Sequence, residues 1–274
     1  MLNSINRRNI INILGITSFG MINTKVLSKT SNSKTFVLVH GTWHGGWVWR
    51  DVRNYIHSQG HKVFSPSLTG CGDRKHLMNS SISLKTHIDD ICNIIQYEEL
   101  DDIILVGHSF SGIVITGVAD RLKNKINNIV FLDALVPTKE RMSAVPKQPN
   151  GEYSEYWNKR KEKFIDGYQM DFFSEYPIKM LVPEENIEQI KWLKKHITRH
   201  PSSSWTDKLE LKNNGWKGLK RTYIHCIGQK FSQTSDNMIG PARNGKDWNF
   251  IQVPWSRNAM VTHPKELSDL LISL

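Results

Sequence analysis

The sequence is poor in the features that settle most function classes early. Three cysteines, Cys71, Cys92 and Cys226, are an odd number with no metal-ligand spacing. They exclude a disulfide framework and suggest no metal centre. No internal repeat is visible, which excludes solenoids and propellers. No apolar run is long enough for a comfortable membrane span, and Ile10–Ile22 falls short of one. Acidic residues are the scarcer charge, 26 against 36 Lys and Arg, leaving a formal charge of +10. The lysines are nevertheless scattered. Their densest groups, Lys159-Arg160-Lys161 and Lys191–Lys195, are interleaved with acids and aromatics, and no nucleic-acid-binding module accompanies them. A solvated, lysine-rich surface follows, with weak attraction to anionic membranes as a side effect.

What is present describes a folded protein. With 39% hydrophobic and 23% charged residues in 274, the chain has room for one α/β domain with a lid or for two small domains. Its first 34 residues differ from the rest. Arg7-Arg8 precede the apolar Ile10–Ile22 and then the polar Asn23–Lys34, the order of a secretory signal of twin-arginine type, although no A-x-A cleavage motif follows. An exported protein is expected, periplasmic or secreted, with a cytoplasmic one as the alternative. The folded domain is expected to start at Thr35.

Apolar runs alternate with helical periodicity along that domain. Thr35–His40, His61–Ser65, Ile126–Leu132, Arg221–Ile227 and Trp248–Val253 are predicted strands. Asp51–Ser58, Leu84–Tyr97 and Pro264–Leu274 are predicted helices. The alternation argues for an α/β fold, a mainly parallel sheet covered on both faces. From about 137 to 218 the pattern breaks into a segment rich in Trp, Tyr, Pro and Lys, read as an inserted cap with helices near Tyr153–Phe164 and Glu184–His196. Trp157, Phe172, Phe173, Trp192 and Trp205 are candidates to line a pocket beneath it.

The most specific segment is Asp102–Gly112, DIILVGHSFSG. A buried strand runs into Gly107-His108-Ser109-Phe110-Ser111-Gly112, and SGIVITGVADRL continues as a helix. A serine on a sharp strand-to-helix turn is a nucleophile elbow, here with Ser111 where the second glycine usually stands. Val37–Trp49, Pro66–Leu77, Val106–Asp120, Phe131–Pro137 and Met260–Leu267 follow in order. Together they closely resemble bacterial α/β-hydrolase-fold esterases related to plant methylesterases and hydroxynitrile lyases. The resemblance covers Thr35 to Leu274. It implies the α/β-hydrolase fold and a small-molecule ester substrate; no cofactor is expected, and the cysteine spacing and scattered charge already argue against metal and nucleic acid. Ser109 matches the nucleophile, and the backbone N–H groups of Thr42 and Phe110 match the oxyanion hole.

The acid and the base are less direct. Relatives often place the acid after the strand matching Arg221–Ile227, where this chain has no carboxylate until Asp236. Asp133, at the end of the preceding strand, is favoured over it. Relatives carry a Gly-His-Asp-x-Met type segment after the last strand, whereas this chain reads Ser256-Arg257-Asn258-Ala259-Met260. Arg257 then stands in the histidine's place, and a guanidinium has no lone pair with which to accept a proton. Among substitute bases His263 comes first, ahead of His108, His40, His44 and His200, and His44 is also a candidate substrate contact. Two readings stay open. One is a serine esterase with a weakened base. The other is an impaired hydrolase-fold protein in which Arg257 helps bind a small ligand, an anion among the candidates.

Overall fold

The computed structural model describes residues 33–138, 142–228 and 239–274. All of the expected leader except Ser33 and Lys34 lies outside them, as does Asp236. Six strands form one parallel sheet: β1 (Thr35–Val39), β2 (Lys62–Phe64), β3 (Ile103–His108), β4 (Ile126–Leu132), β5 (Lys220–Cys226) and β6 (Asn249–Val253). Their order is β2-β1-β3-β4-β5-β6.

Both faces of the inner strands are buried, and the sequence alternates between two apolar clusters accordingly. In β1, Val37 and Val39 join one apolar cluster while Phe36 and Leu38 join the other. Helices α2 (Leu84–Tyr97) and α3 (Ser111–Leu122) cover the first face through Ile88, Ile91, Ile95, Ile115 and Val118. Helices α1 (Arg50–Ser58) and the C-terminal Pro264–Ser273 cover the second through Val52, Ile56, Leu267 and Leu271. Each such fully buried aliphatic side chain contributes about 1.5–3 kcal/mol before conformational entropy is counted. Helix α2 starts where its capping box dictates. Ser83 accepts the Thr86 N–H, and the Thr86 hydroxyl accepts the Ser83 N–H. Helix α3 is buried from Ser111 through Asp120, as expected for a helix that is apolar nearly all round.

Strands β1 and β3 are neighbours, so the chain reverses its direction of winding between them. The crevice at their carboxyl ends is where ligands bind in open α/β sheets. Into that crevice go the loop after β1 and the turn after β3. The segment joining β4 to β5 lies over the same edge as short elements, including α4 (Glu155–Lys161) and α5 (Ile187–His196). Polar ties hold it there. The Trp205 indole donates to the Thr42 hydroxyl at 3.1 Å, and the Thr198 N–H donates to the Trp43 carbonyl at 2.9 Å. At the far end of α3, the Asp120 carboxylate accepts the backbone N–H groups of Lys212, Asn213 and Gly215 at 2.7–2.8 Å and anchors the return of the segment to β5.

Candidate active site

Ser109 sits between the last residue of β3 and the first of α3 with φ 58°. This left-handed conformation is disfavoured for a residue with a Cβ. The surroundings enforce it. The Ser109 N–H donates to the Leu132 carbonyl, and the Ser109 carbonyl accepts from Gly112 and Leu135. Gly112 must lack a side chain, because a Cβ there would lie 2.0 Å from the Leu135 carbonyl oxygen. Ser111, in the place of the second glycine, has a structural explanation: its hydroxyl donates to the buried His40 carbonyl, tying the elbow to the loop after β1. That loop packs closely in turn, since a Cβ on Gly41 would lie 2.9 Å from the Ser109 Cβ. The backbone N–H groups of Thr42 and Phe110 have no hydrogen-bond partner among the described residues.

Arg257 is 3% exposed and reaches both members of the expected constellation. Its Nη2 donates to Ser109 Oγ at 2.8 Å, and its Nη1 donates to Asp133 Oδ2. Asp133 stands at the end of β4 with φ 41°, held by its N–H on the Ile224 carbonyl at 2.8 Å. Its other oxygen accepts from His225 Nδ1 at 3.3 Å. The structure therefore brings Ser109, Arg257 and Asp133 into one line. His225, one strand over, was not singled out from the sequence.

The histidines are occupied elsewhere. His263 does not line the Ser109 cavity: its ring stacks on Trp255 and its Nδ1 meets the Thr262 hydroxyl at 2.8 Å. The turn before the final helix aims it away. His44 does line the cavity, but its Nδ1 donates to the Thr42 carbonyl and its Nε2 accepts from Asn258 Nδ2 at 3.1 Å. Burial, aided by the Arg257 charge, lowers its pKa to about 4. His108 also borders the cavity and donates through Nε2 to the Arg257 carbonyl at 3.1 Å. Burial and the same guanidinium hold it well below the ordinary range. His40 accepts the Leu68 N–H at 3.0 Å, and burial lowers its pKa to about 3. His200 lies against Cys71 and Ser204.

Above Ser109 opens a cavity of about 350 Å³. Of the five aromatic candidates, Trp157 and Trp205 line it. Phe172 is buried behind Trp43, Phe173 is 48% exposed, and Trp192 packs on Trp47 and His196. Asn258 and Arg160 are among the lining residues that the sequence reading did not single out. Asn258 fixes the His44 ring. Arg160 is buried among indoles and ion-paired to Glu175 through Nε. The spacing of Arg160 from Trp157 in α4 was an available signal, because i and i+3 share a helix face.

The doubly covered parallel sheet, the elbow and the inserted segment over the carboxyl edge define a class, the α/β hydrolases. The comparisons agree. The α/β hydrolase family profile matches residues 36–266, and this chain belongs to that family. A carbendazim-hydrolysing esterase of Nocardioides is 36% identical over 247 residues, covering 87% of this chain and 98% of that protein. Methylesterase 3 of Arabidopsis thaliana is 26% identical, covering 90% of this chain and 98% of its own length. Among solved structures, an extracellular α/β-hydrolase from a Paenibacillus species superposes with TM-score 0.69 at 23% identity, over 88% of this chain and 98% of that one.

Proposed function

We propose that this chain is a serine carboxylesterase acting on a small ester, with the guanidinium of Arg257 where an imidazole base would stand. The observation that carries the proposal is Ser109 on a left-handed elbow at the cavity floor, beside two amides that lack partners. In this reading the inserted segment is a cap. Ser109 Oγ attacks the ester carbonyl carbon, and the developing oxyanion takes the Thr42 and Phe110 N–H groups. The alkoxide leaves and takes a proton from solvent, and water then releases the acid from the acyl-serine.

Removing the Ser109 proton is the weak step. Arg257 donates to Oγ and accepts nothing, and no imidazole within the described residues hydrogen-bonds to Ser109. Solvent hydroxide must take the proton, so kcat/KM should rise about tenfold per pH unit through neutrality, without an imidazole plateau. p-Nitrophenyl acetate hydrolysis tests the slope, and a fluorophosphonate should label Ser109 and leave S109A unlabelled. A plateau near pH 7 would mean that a ring nitrogen reaches the hydroxyl after all.

The contact between Arg257 and Oγ also favours a second reading, a catalytically impaired family member that binds a small ligand. Absence of both turnover and labelling in the wild type, with both gained by R257H, would decide for it. In either reading the relatives' esterase names and the extracellular neighbour support a small-molecule ester ligand and an exported chain. Cell fractionation checks the location.

A further inference from the structure

Several residues that line the cavity carry enclosed hydrogen-bonding atoms that meet no partner among the described residues, and Glu175 Oε1 beside them is another. Trp43 Nε1, Trp157 Nε1 and Arg160 Nη2 are all buried without a hydrogen-bond partner, and all three residues line the cavity with Ser109. Arg160 is 5% exposed and fixed from several sides. Its Nε donates to Glu175, whose side chain is 4% exposed. Its Cζ lies 4.7 Å from the Trp205 ring centre and 5.1 Å from that of Trp157. Nη2 is enclosed without a partner, whereas Nη1 is not among the enclosed atoms and makes no hydrogen bond seen to a described residue. An unsatisfied buried donor on a charged group is costly, so a site built this way gains most from a ligand that brings an acceptor.

We propose that Arg160 is a specificity-determining residue that receives a neutral carbonyl oxygen on the part of the ester remote from the scissile bond, with a planar apolar body against the indoles of Trp157 and Trp205. A neutral oxygen fits better than a carboxylate because both buried guanidiniums already have carboxylate partners, Arg160 with Glu175 and Arg257 with Asp133. A third carboxylate would enter the low-dielectric cavity as an unmatched charge. A carbonyl takes the free N–H groups and leaves the charge balance unchanged. This rests on the cavity being the ester site, but its test needs no turnover.

Calorimetric titration with three probes of one shape isolates the contact: 2-acetylnaphthalene, 2-naphthoate and 2-ethylnaphthalene. The ketone should bind about tenfold or more tighter than the hydrocarbon, and tighter than the carboxylate. R160M should erase the ketone's advantage while hydrocarbon binding stays within about twofold. Should R160M fail to fold with Glu175 left unpaired, R160M/E175M replaces the pair by apolar volume and is read the same way. Equal binding of ketone and hydrocarbon to the wild type would overturn the proposal, as would tightest binding of the carboxylate, no binding of any probe, or an equal loss for all three in R160M. A chain that discriminates the ketone but never labels at Ser109 refutes only the esterase reading. One that labels without discriminating refutes only the role of Arg160.

Discussion

R257H is the most direct test of the proposed site, because it replaces a group that only donates to Ser109 Oγ by one able to accept its proton. Arg257 spans from Asp133 to Ser109 with its two Nη nitrogens, the second at 2.8 Å from Oγ. An imidazole on the same backbone meets the same two partners with a shorter arm. Its Nδ1–H can donate to Asp133, leaving the Nε2 lone pair toward Oγ. Well-placed general bases contribute about 10²–10⁴ in rate. A misplacement of about 1 Å removes roughly 10² of that. The shorter arm argues for the lower end, a rise of about 10²-fold in kcat/KM at neutral pH. Hydrolysis of p-nitrophenyl acetate by the purified variant, with S109A as blank, measures it. The pH profile should also change shape, gaining an imidazole plateau above about pH 6.5. A folded R257H protein with unchanged rate and unchanged slope would refute the assignment of Arg257 to the base position.

Other consequences follow from the packing of the site. His40, His44 and His87 are buried with pKa values lowered to about 3, 4 and 4, each mainly by burial. The unfolded chain binds their protons near pH 6.5 and the folded one does not, so their contribution is present above that value and fades as pH falls toward 4. Together they should remove about 4 kcal/mol between pH 7.5 and 5.5, seen as a falling urea midpoint, and a flat midpoint would contradict it. G112A should destabilise by about 3 kcal/mol or fail to fold, because its methyl group would meet the Leu135 carbonyl at 2.0 Å. S111A should cost about 1 kcal/mol in chemical denaturation by leaving the His40 carbonyl without its donor, whereas a neutral result would make that tie incidental.

Much of this architecture was legible because the core repeats one signal. Ile126–Leu132 and Leu84–Tyr97 coincide with their predicted bounds, since a β-branched run and a capped 3.6-residue period leave little freedom. The insertion was less legible. The helix expected over Tyr153–Phe164 is confined to Glu155–Lys161, and that expected from Glu184 begins at Ile187. Short elements pinned by contacts to distant loops follow those contacts more than their own propensity. Trp192 and Phe173 illustrate the limit, because composition places aromatics in the segment without saying which face they turn to. Arg160 shows the converse. Lys159-Arg160-Lys161 has the pattern of a solvated run, and only Glu175, fifteen residues on, makes burial of its middle member tolerable. His263 was favoured as substitute base for its closeness in sequence to Arg257. The start of the final helix turns it onto Trp255 instead.

The role of Asp133 can be separated from its charge by a double-mutant cycle. In the wild type it accepts from Arg257 and His225, so D133N removes a buried charge from beside the guanidinium. Breaking one side of a buried pair costs about 3–5 kcal/mol. The stability loss should therefore be large, and the change in the turnover proposed for the wild type small. In the R257H background the same substitution should act in the opposite way. There Asp133 would orient an imidazole and stabilise its protonated form, and replacing such a carboxylate by an amide lowers rate on the order of 10⁴, up to whatever R257H gained. The partner it destabilises is then neutral, so the loss of stability should shrink. The two effects of D133N would thus trade places between backgrounds, a coupling that independent residues cannot produce. Additive effects on both rate and urea midpoint would mean that Asp133, Arg257 and Ser109 do not act as one unit, and that the acid must be sought elsewhere along the carboxyl edge of the sheet.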